Sequence, residues 1–222
     1  MSVVLSEFVM SKTSSGNLAL RFTKIDDLQR HDHSYLTPQD ECYFLREYTP
    51  RAGFGHSATN DLIQNFKKPV DRRGRSEWDW KEWAVRKIAE EFREAMGAKW
   101  ISQWTLIPVP PSKTKDNIEY DDRLIWMLTE LTRGIRSDVR ELIIQTRNME
   151  PAHYVVFRPS PDEIARNYVI DESTTSPEPR AIAVVDDILT TGAHFKACKM
   201  VLGSRFPDTR IIGIFVARVH RQ

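Results

Sequence analysis

The chain has 222 residues, with 32 Lys and Arg against 31 Asp and Glu, a formal net charge of +1. That length suits one α/β domain with an elaborated end, or at most two small domains, and 41% hydrophobic residues are enough for a core while 28% charged residues supply a polar surface. So balanced a charge gives no global electrostatic case for nucleic acid. No apolar run reaches the length of a membrane span, and the start MSVVLSEFVMSK lacks the basic-then-apolar order of a signal peptide, so no membrane partner and a cytoplasmic location are expected.

Residues 1–40 are polar and weakly periodic and predict no firm element. His31 and His33 have no third metal ligand at a persuasive spacing, so the expectation is surface histidines. Residues 41–49 (ECYFLREYT) are aromatic-rich and read as a strand or short buried element. A loop, a short helix around 61–68 and a linker or arm at 69–75 follow. The basic cluster Lys67, Lys68, Arg72, Arg73 and Arg75 reads first as a solvated loop and second as a nucleic-acid patch. Cys42 and Cys198 lie far apart with no C-x-x-C, which argues against a disulfide scaffold or a cysteine zinc site.

Ser76 opens the first long helical pattern, with Asp79 three residues on as a variant capping box. Trp80, Ala84, Ile88 and Phe92 recur at four-residue spacing, Trp83, Ala95 and Met96 broaden the face, and Gly97 is its stop. This spacing assigns Trp80 and Trp83 to packing; a base-stacking platform of Trp78, Trp80 and Trp83 is the secondary reading. Residues 104–109 (WTLIPV) read as a buried strand running into Pro110-Pro111-Ser112-Lys113-Thr114-Lys115. There the prolines fix a turn, and Ser112, Lys113 and Lys115 offer hydroxyl and ammonium groups to an anion. Residues 120–133 read as a helix with Leu124, Ile125, Leu128 and Leu131 on its apolar face, Asp121 and Asp122 in its first turn and Gly134 as its stop.

A strand is expected at 142–144. The long connection after it carries Arg147, Arg158 and Arg166, each eligible as a cationic clamp on a dianion. A further strand at 167–171, a polar loop at 171–180 and a last buried strand at 211–217 complete the pattern. Strands alternating with helices predict an α/β fold with a doubly wound, mostly parallel sheet, an N-terminal extension over 1–75 and a main domain over 76–222. Ligands are expected at the carboxyl ends of the strands.

The stretch 181–194, AIAVVDDILTTGAH, carries the chemistry. Five apolar residues without alternation read as a parallel strand buried on both faces. Asp186 and Asp187 follow where it would leave the sheet, then the turn Thr190-Thr191-Gly192, then a helix over 193–202 with Gly203 to end it. Backbone N–H groups at a helix start converge on an anion, threonine hydroxyls add donors, and a glycine admits a phosphate oxygen close to the main chain. A ribose 5-phosphate satisfies both halves, its hydroxyls at the acids and its phosphate at the turn. An N-capped structural helix is the bland alternative. A nucleotide triphosphatase would need G-x-x-x-x-G-K-[ST], which is absent; Gly53-Phe54-Gly55 is a lone G-x-G.

VVDDILTTG resembles the phosphoribosyl-pyrophosphate (PRPP) motif of type I phosphoribosyltransferases. IPVPPSK, RNMEPAHY with Arg158 and ARNYVID, and more loosely YTPRAGFGHSATNDLIQNFKK, are similar to the ComF-like, competence-associated branch. The likeness covers about residues 43–218, strongest at 180–193 and fair at 105–113 and 147–171. It implies that Asp186 and Asp187 hold the ribose hydroxyls and sit at the Mg²⁺ that bridges to pyrophosphate. It further implies that Thr190, Thr191, Gly192, Ala193 and His194 hold the 5′-phosphate and that Pro111, Ser112 and Lys113 meet the pyrophosphate, with Arg147 and Arg166 as further substrate contacts.

His194 stands where a Ser or Thr is usual, Thr190 replaces an Asp used in purine salvage, and the branch's four-cysteine zinc ribbon is missing. The implied function is PRPP-dependent phosphoribosyl transfer or recognition. Alternatives are a non-catalytic regulatory or DNA-associated protein on the same fold, or a toxin or anti-phage effector acting on nucleotides. PRPP or another ribose 5-phosphate is the expected partner; a homodimer, an operon-encoded protein and, more weakly, nucleic acid are the other partner classes.

Overall fold

In the computed structural model, which describes residues 20–149 and 159–220, the apolar run 181–185 lies inside a six-stranded sheet. Its strands in chain order are β1 (Thr23–Lys24), β2 (Cys42–Tyr48), β3 (Thr105–Pro108), β4 (Asp138–Val139), β7 (Ala181–Leu189) and β8 (Arg210–Val219); β5 (Ile143–Gln145) and β6 (Tyr168–Ile170) form a separate antiparallel pair. The spatial order is β1-β2-β8-β7-β3-β4, and every neighbour is parallel except β1 on β2. Helices α1 (Asp27–Arg30), α2 (Ala58–Phe66), α3 (Trp78–Met96), α4 (Ala98–Ile101), α5 (Arg123–Thr132), α6 (Pro161–Ala165) and α7 (Ala193–Arg205) flank it. This is a mixed α/β architecture of the kind a doubly wound sheet gives. Among the described residues no helix is long and apolar enough to cross a membrane.

The reason for the non-alternating run is visible in β7. It pairs with β3 on one side and β8 on the other, and Ile182, Ala183, Val184 and Val185 are all fully buried. The strand does not end at the acids. It continues to Leu189 because β8 goes on pairing with it through Leu189↔Arg218, whereas β3 stops at Pro108↔Val185. Asp186 and Asp187 therefore sit where the sheet is one strand narrower. Residues 42–48, assigned from sequence to the N-terminal extension, form a strand of this same sheet, parallel to β8.

Several local expectations are corrected. Residues 143–145 leave the main sheet to pair with 168–170, and the edge beside β3 is taken by Asp138–Val139. Helix α7 passes through Gly203 and ends at Arg205, with Phe206 as its cap and Pro207 after it. Helix α2 starts earlier, at Ala58, because the Ser57 side chain accepts the Asn60 N–H. Helix α5 starts at Arg123, so Asp121 and Asp122 precede it rather than occupying its first turn. Ser76 makes no cap; Glu77 is the N-cap of α3 without a side-chain bond.

The buried residues of α3 are Trp78, Lys81, Ala84, Val85, Ile88, Ala89, Glu91, Phe92 and Met96, so Ala84, Ile88, Phe92 and Met96 of the predicted face are buried, whereas Trp80 and Trp83 face outward, 57% and 45% exposed, edge-to-face at 6.1 Å. Counting in fours caused that error, since each four-residue step rotates about 40° past a full helical turn and three steps slew roughly a third of the way round the helix. His33, expected at the surface, is fully buried.

Candidate functional site

Parallel strands end on the same edge, and the acid pair, the TTG turn and the start of the 110–113 loop lie there. The N–H of Val109 donates to the Val185 carbonyl at 2.9 Å, so the loop from Pro110 leaves the sheet alongside Asp186. One strand-end further on, β7 passes through Thr190 and Thr191 to Gly192, which begins α7. Gly192 is buried with φ +84°, and a Cβ there would lie 2.8 Å from Leu36 Cδ2. Its lack of a side chain thus admits Leu36, an approach that sequence alone assigned to a phosphate.

Leu36 belongs to a strap that crosses the turn. His33 Nδ1 bonds the Thr190 carbonyl at 2.5 Å, and the Tyr35 N–H donates to the Thr191 carbonyl at 2.9 Å. The strap is tied down by Asp40, whose fully buried carboxylate accepts from Lys196 and Lys199 of α7, both at 2.7 Å. The turn's carbonyl oxygens are thereby engaged. On its donor side, no side chain among the described residues caps the start of α7, whose first N–H groups, like those of any helix, lack intrahelical partners.

The acids are asymmetric. Asp187 is 4% exposed and receives Lys67 Nζ at 3.2 Å on Oδ1, with Arg123 Nε at 3.0 Å and Nη2 at 2.6 Å on Oδ2. Burial alone would raise its carboxyl, but Lys67 and Arg123 outweigh burial and hold it well below the carboxylate range. Asp186 is half-buried and accepts the Asp187 N–H on Oδ1 at 2.8 Å; burial first, and the neighbouring Asp187 charge second, push it up to about 7.

Behind Arg123 stands a buried chain. Arg123 Nη1 reaches Asp121 Oδ2 at 2.8 Å, and the fully buried Lys81 Nζ holds both Asp121 oxygens at 2.9 Å and the Lys68 carbonyl at 2.7 Å.

His194 lies in the first turn of α7, where its Nδ1 and the Tyr168 hydroxyl are bonded at 3.1 Å, and burial lowers its basicity. The imidazole is thereby tied to β6. Ser112 accepts the Met149 N–H on its carbonyl at 2.8 Å, and Thr114 bonds Asn148 Oδ1, so residues 147–149 run against the 112–114 loop. Arg147 thus comes beside that loop with its side chain exposed. Pro111 and Lys113 are half-buried, and Lys113 pairs with Glu119 at 3.4 Å. Arg166 lies exposed at the end of α6 with no ion pair to the acids among the described residues. Arg158 lies outside the described residues.

Lys67, Arg123, Lys81, Asp121, His33 and Leu36 were missed as site residues. Lys67 was read as part of a solvated cluster, yet it and its neighbours are engaged within the chain. Lys68 bonds Asn65 and the Glu77 carbonyl, Arg72 lies near Asp71 and Glu77, and Arg73 lies 3.7 Å from Asp122 and over the Trp78 ring. A cavity of about 820 Å³ opens elsewhere, between the start of α3 and α5, lined by Arg73, Trp78, Asp122 and Trp126 among others and by none of residues 186–194.

No group of three or more His, Cys, Asp or Glu that could hold a metal exists among the described residues, and both Asp187 oxygens are taken by cations. With Asp187 so engaged, the described residues do not make up a resident metal site. A scan against protein-family models and a search of curated proteins each returned no match to this chain.

Proposed function

We propose that this chain is a phosphoribosyltransferase-like protein of the type I, ComF-like kind that binds PRPP, delivered with Mg²⁺, and transfers its ribose 5-phosphate unit. The observation that carries the reading is the convergence at one sheet edge of the acid pair, the uncapped start of α7 with its two threonines, and the 110–113 loop, fixed by the Val109-to-Val185 bond. The assigned contacts are ribose hydroxyls to the acids, 5′-phosphate to residues 190–194, and pyrophosphate to Pro111, Ser112 and Lys113, with the exposed Arg147 beside that loop. In the transfer, an acceptor nucleophile forms a bond to C1 while the C1–O bond to pyrophosphate breaks, the electron pair leaving with pyrophosphate. The chain's part is to align the two and to stabilise charge.

The test is calorimetric titration with Mg²⁺–PRPP followed by an assay for pyrophosphate release over a panel of acceptors. Saturable binding that Thr191→Val weakens is expected; absence of binding by the folded wild type would refute the reading. Recognition without transfer is the second reading, favoured by the engagement of both Asp187 oxygens. Binding without pyrophosphate release from any acceptor would select it.

A further inference from the structure

The outward side of α3 carries Trp80 and Trp83, exposed and in ring contact, a large aromatic area to leave facing water. Asp79, Trp83, Arg86 and Glu90 lie on one line along the helix, spaced four, three and four residues apart, and all are exposed. Trp80, Lys87 and Glu94 flank that line on one side and Glu82 on the other.

The charges of this face come in a definite order. Arg73 and Arg75 precede the helix, Asp79 and Glu82 follow, then Trp83, then Arg86 and Lys87, then Glu90 and Glu94. Charge therefore inverts about Trp83: each cationic group on one side is answered by an acidic group at a similar distance on the other. A parallel copy of the helix would set like charge against like. An antiparallel copy centred on Trp83 sets each charge against its opposite. With four carboxylates among four cations, the face has no net attraction for a phosphate backbone, which disfavours single-stranded nucleic acid stacked on the tryptophans.

We propose that the chain pairs with a second copy of itself through this face, α3 antiparallel on α3, with Trp83 at the two-fold axis. Residues equidistant from Trp83 then face each other. Asp79 meets the partner's Lys87, and Trp80 meets the partner's Arg86, a guanidinium on an indole. Arg73 and Arg75 come to the partner's Glu90 and Glu94. The interface is isologous, so each contact is made twice and the assembly closes at two copies.

Contacts within one copy leave these groups available. Arg86 has Glu82 at 3.3 Å, an exposed pair that contributes little. Lys87 has Glu91 at 3.5 Å, but Glu91 keeps two bonds from Arg46, so it does not depend on Lys87. Helix α3 has 19 residues, about 28 Å of length, so two such helices alone bury less than the roughly 800 Å² per partner of a standard interface. A weak, micromolar dimer is expected. The proposal does not rest on the sugar-phosphate reading, and none of these residues is assigned to that site.

The test is sedimentation equilibrium of the full chain, from micromolar to submillimolar concentration, at low and high salt. Wild type is expected to show a monomer–dimer equilibrium that salt weakens. Trp83→Ser is expected to weaken it about tenfold or more, the loss of a central aromatic anchor. Asp79→Lys and Lys87→Asp each set like charges face to face and are expected to be monomeric. Mixed in equal amounts, those two variants are expected to associate with each other. The double variant Asp79→Lys/Lys87→Asp is expected to pair with itself as wild type does. Damage to the fold would give neither recovery, and circular dichroism with Tm checks folding separately. A wild type that stays monomeric throughout, or a dimer indifferent to Trp83→Ser or to the single charge reversals, overturns the proposal. So does failure of both the mixture and the double variant to associate while folded. Single-stranded DNA binding by a monomer, lost in Trp83→Ser, overturns it in favour of a stacking surface.

Discussion

Replacing Lys81 by methionine tests the buried charge chain at its most solvent-remote point. Lys81 is fully buried in α3, its Nζ lying 2.9 Å from both Asp121 oxygens, 2.7 Å from the Lys68 carbonyl and 5.3 Å from the Trp78 ring centroid. Burial lowers its basicity and Asp121 opposes that, so the pair holds the charge in place. Methionine fills most of the lysine stem, so the loss is electrostatic rather than a cavity. Removing one partner of a buried pair costs about 3–5 kcal/mol when the other charge is left uncompensated. Asp121 keeps Arg123 Nη1 at 2.8 Å and is 14% exposed, which places the expected cost lower, at about 2–3 kcal/mol.

For a chain of this size that is a fall of roughly 4–12 °C in Tm. Urea unfolding followed by tryptophan fluorescence measures it. The double variant with Asp121→Asn should be less destabilised than the two single effects added, by about 1 kcal/mol or more. A Lys81→Met protein within about 0.5 kcal/mol of wild type, or strict additivity with Asp121→Asn, would refute the chain.

Two further predictions concern the strap over the TTG turn. Gly192→Ala should destabilise by about 2–5 kcal/mol, from the left-handed backbone and the contact with Leu36. Adding Leu36→Ala should relieve only the contact, and chemical denaturation separates the two. Burial alone would raise the Asp40 carboxyl, but Lys196, Lys199 and the Thr37 N–H bring it from 3.8 to about 2. A carboxyl depressed on folding stabilises fully above its unfolded value and loses that contribution as pH falls from about 3.8 through about 2. Asp40→Asn should therefore abolish on the order of 2 kcal/mol of acid-dependent stability in that window, read from unfolding midpoints at successive pH values.

The parts of the fold legible in sequence were those with a local cause. An unbroken apolar run at 181–185 reports burial on both faces, and β3 and β8 carried the same signal, so a parallel sheet and its carboxyl-end edge could be foreseen, whereas β2 read only as a strand or short buried element of the N-terminal extension. The 110–113 loop and the TTG turn were found as strand-end punctuation. The illegible parts have causes far along the chain. Asp187 meets Lys67 across 120 residues and Arg123 across 64, and His33 meets Thr190 across 157. Lys81 did leave a trace, a cation within the stripe Trp78, Val85, Ile88 and Phe92, but the four-residue count shared only Ile88 and Phe92 with that stripe and ran through Trp80 at its start, passing Lys81 by.

The turn also shows why its glycine is weak evidence of a ligand. At Gly192 the positive φ by itself favours glycine and Leu36 fills the space beyond Cα, so this chain would need glycine there even if no phosphate ever bound. The same strap takes the Thr190 and Thr191 carbonyls, which removes acceptors from the turn and leaves its hydrogen-bonding capacity weighted toward the donors at the start of α7. An anion is favoured by that imbalance, and a cation is not. The support for a sugar phosphate therefore comes from donors at one end of a short path and a half-buried acid, Asp186, at the other. The cations a few ångströms away, Lys67 and Arg123, are already committed to Asp187 and do not compete for the acid at which the hydroxyls are expected.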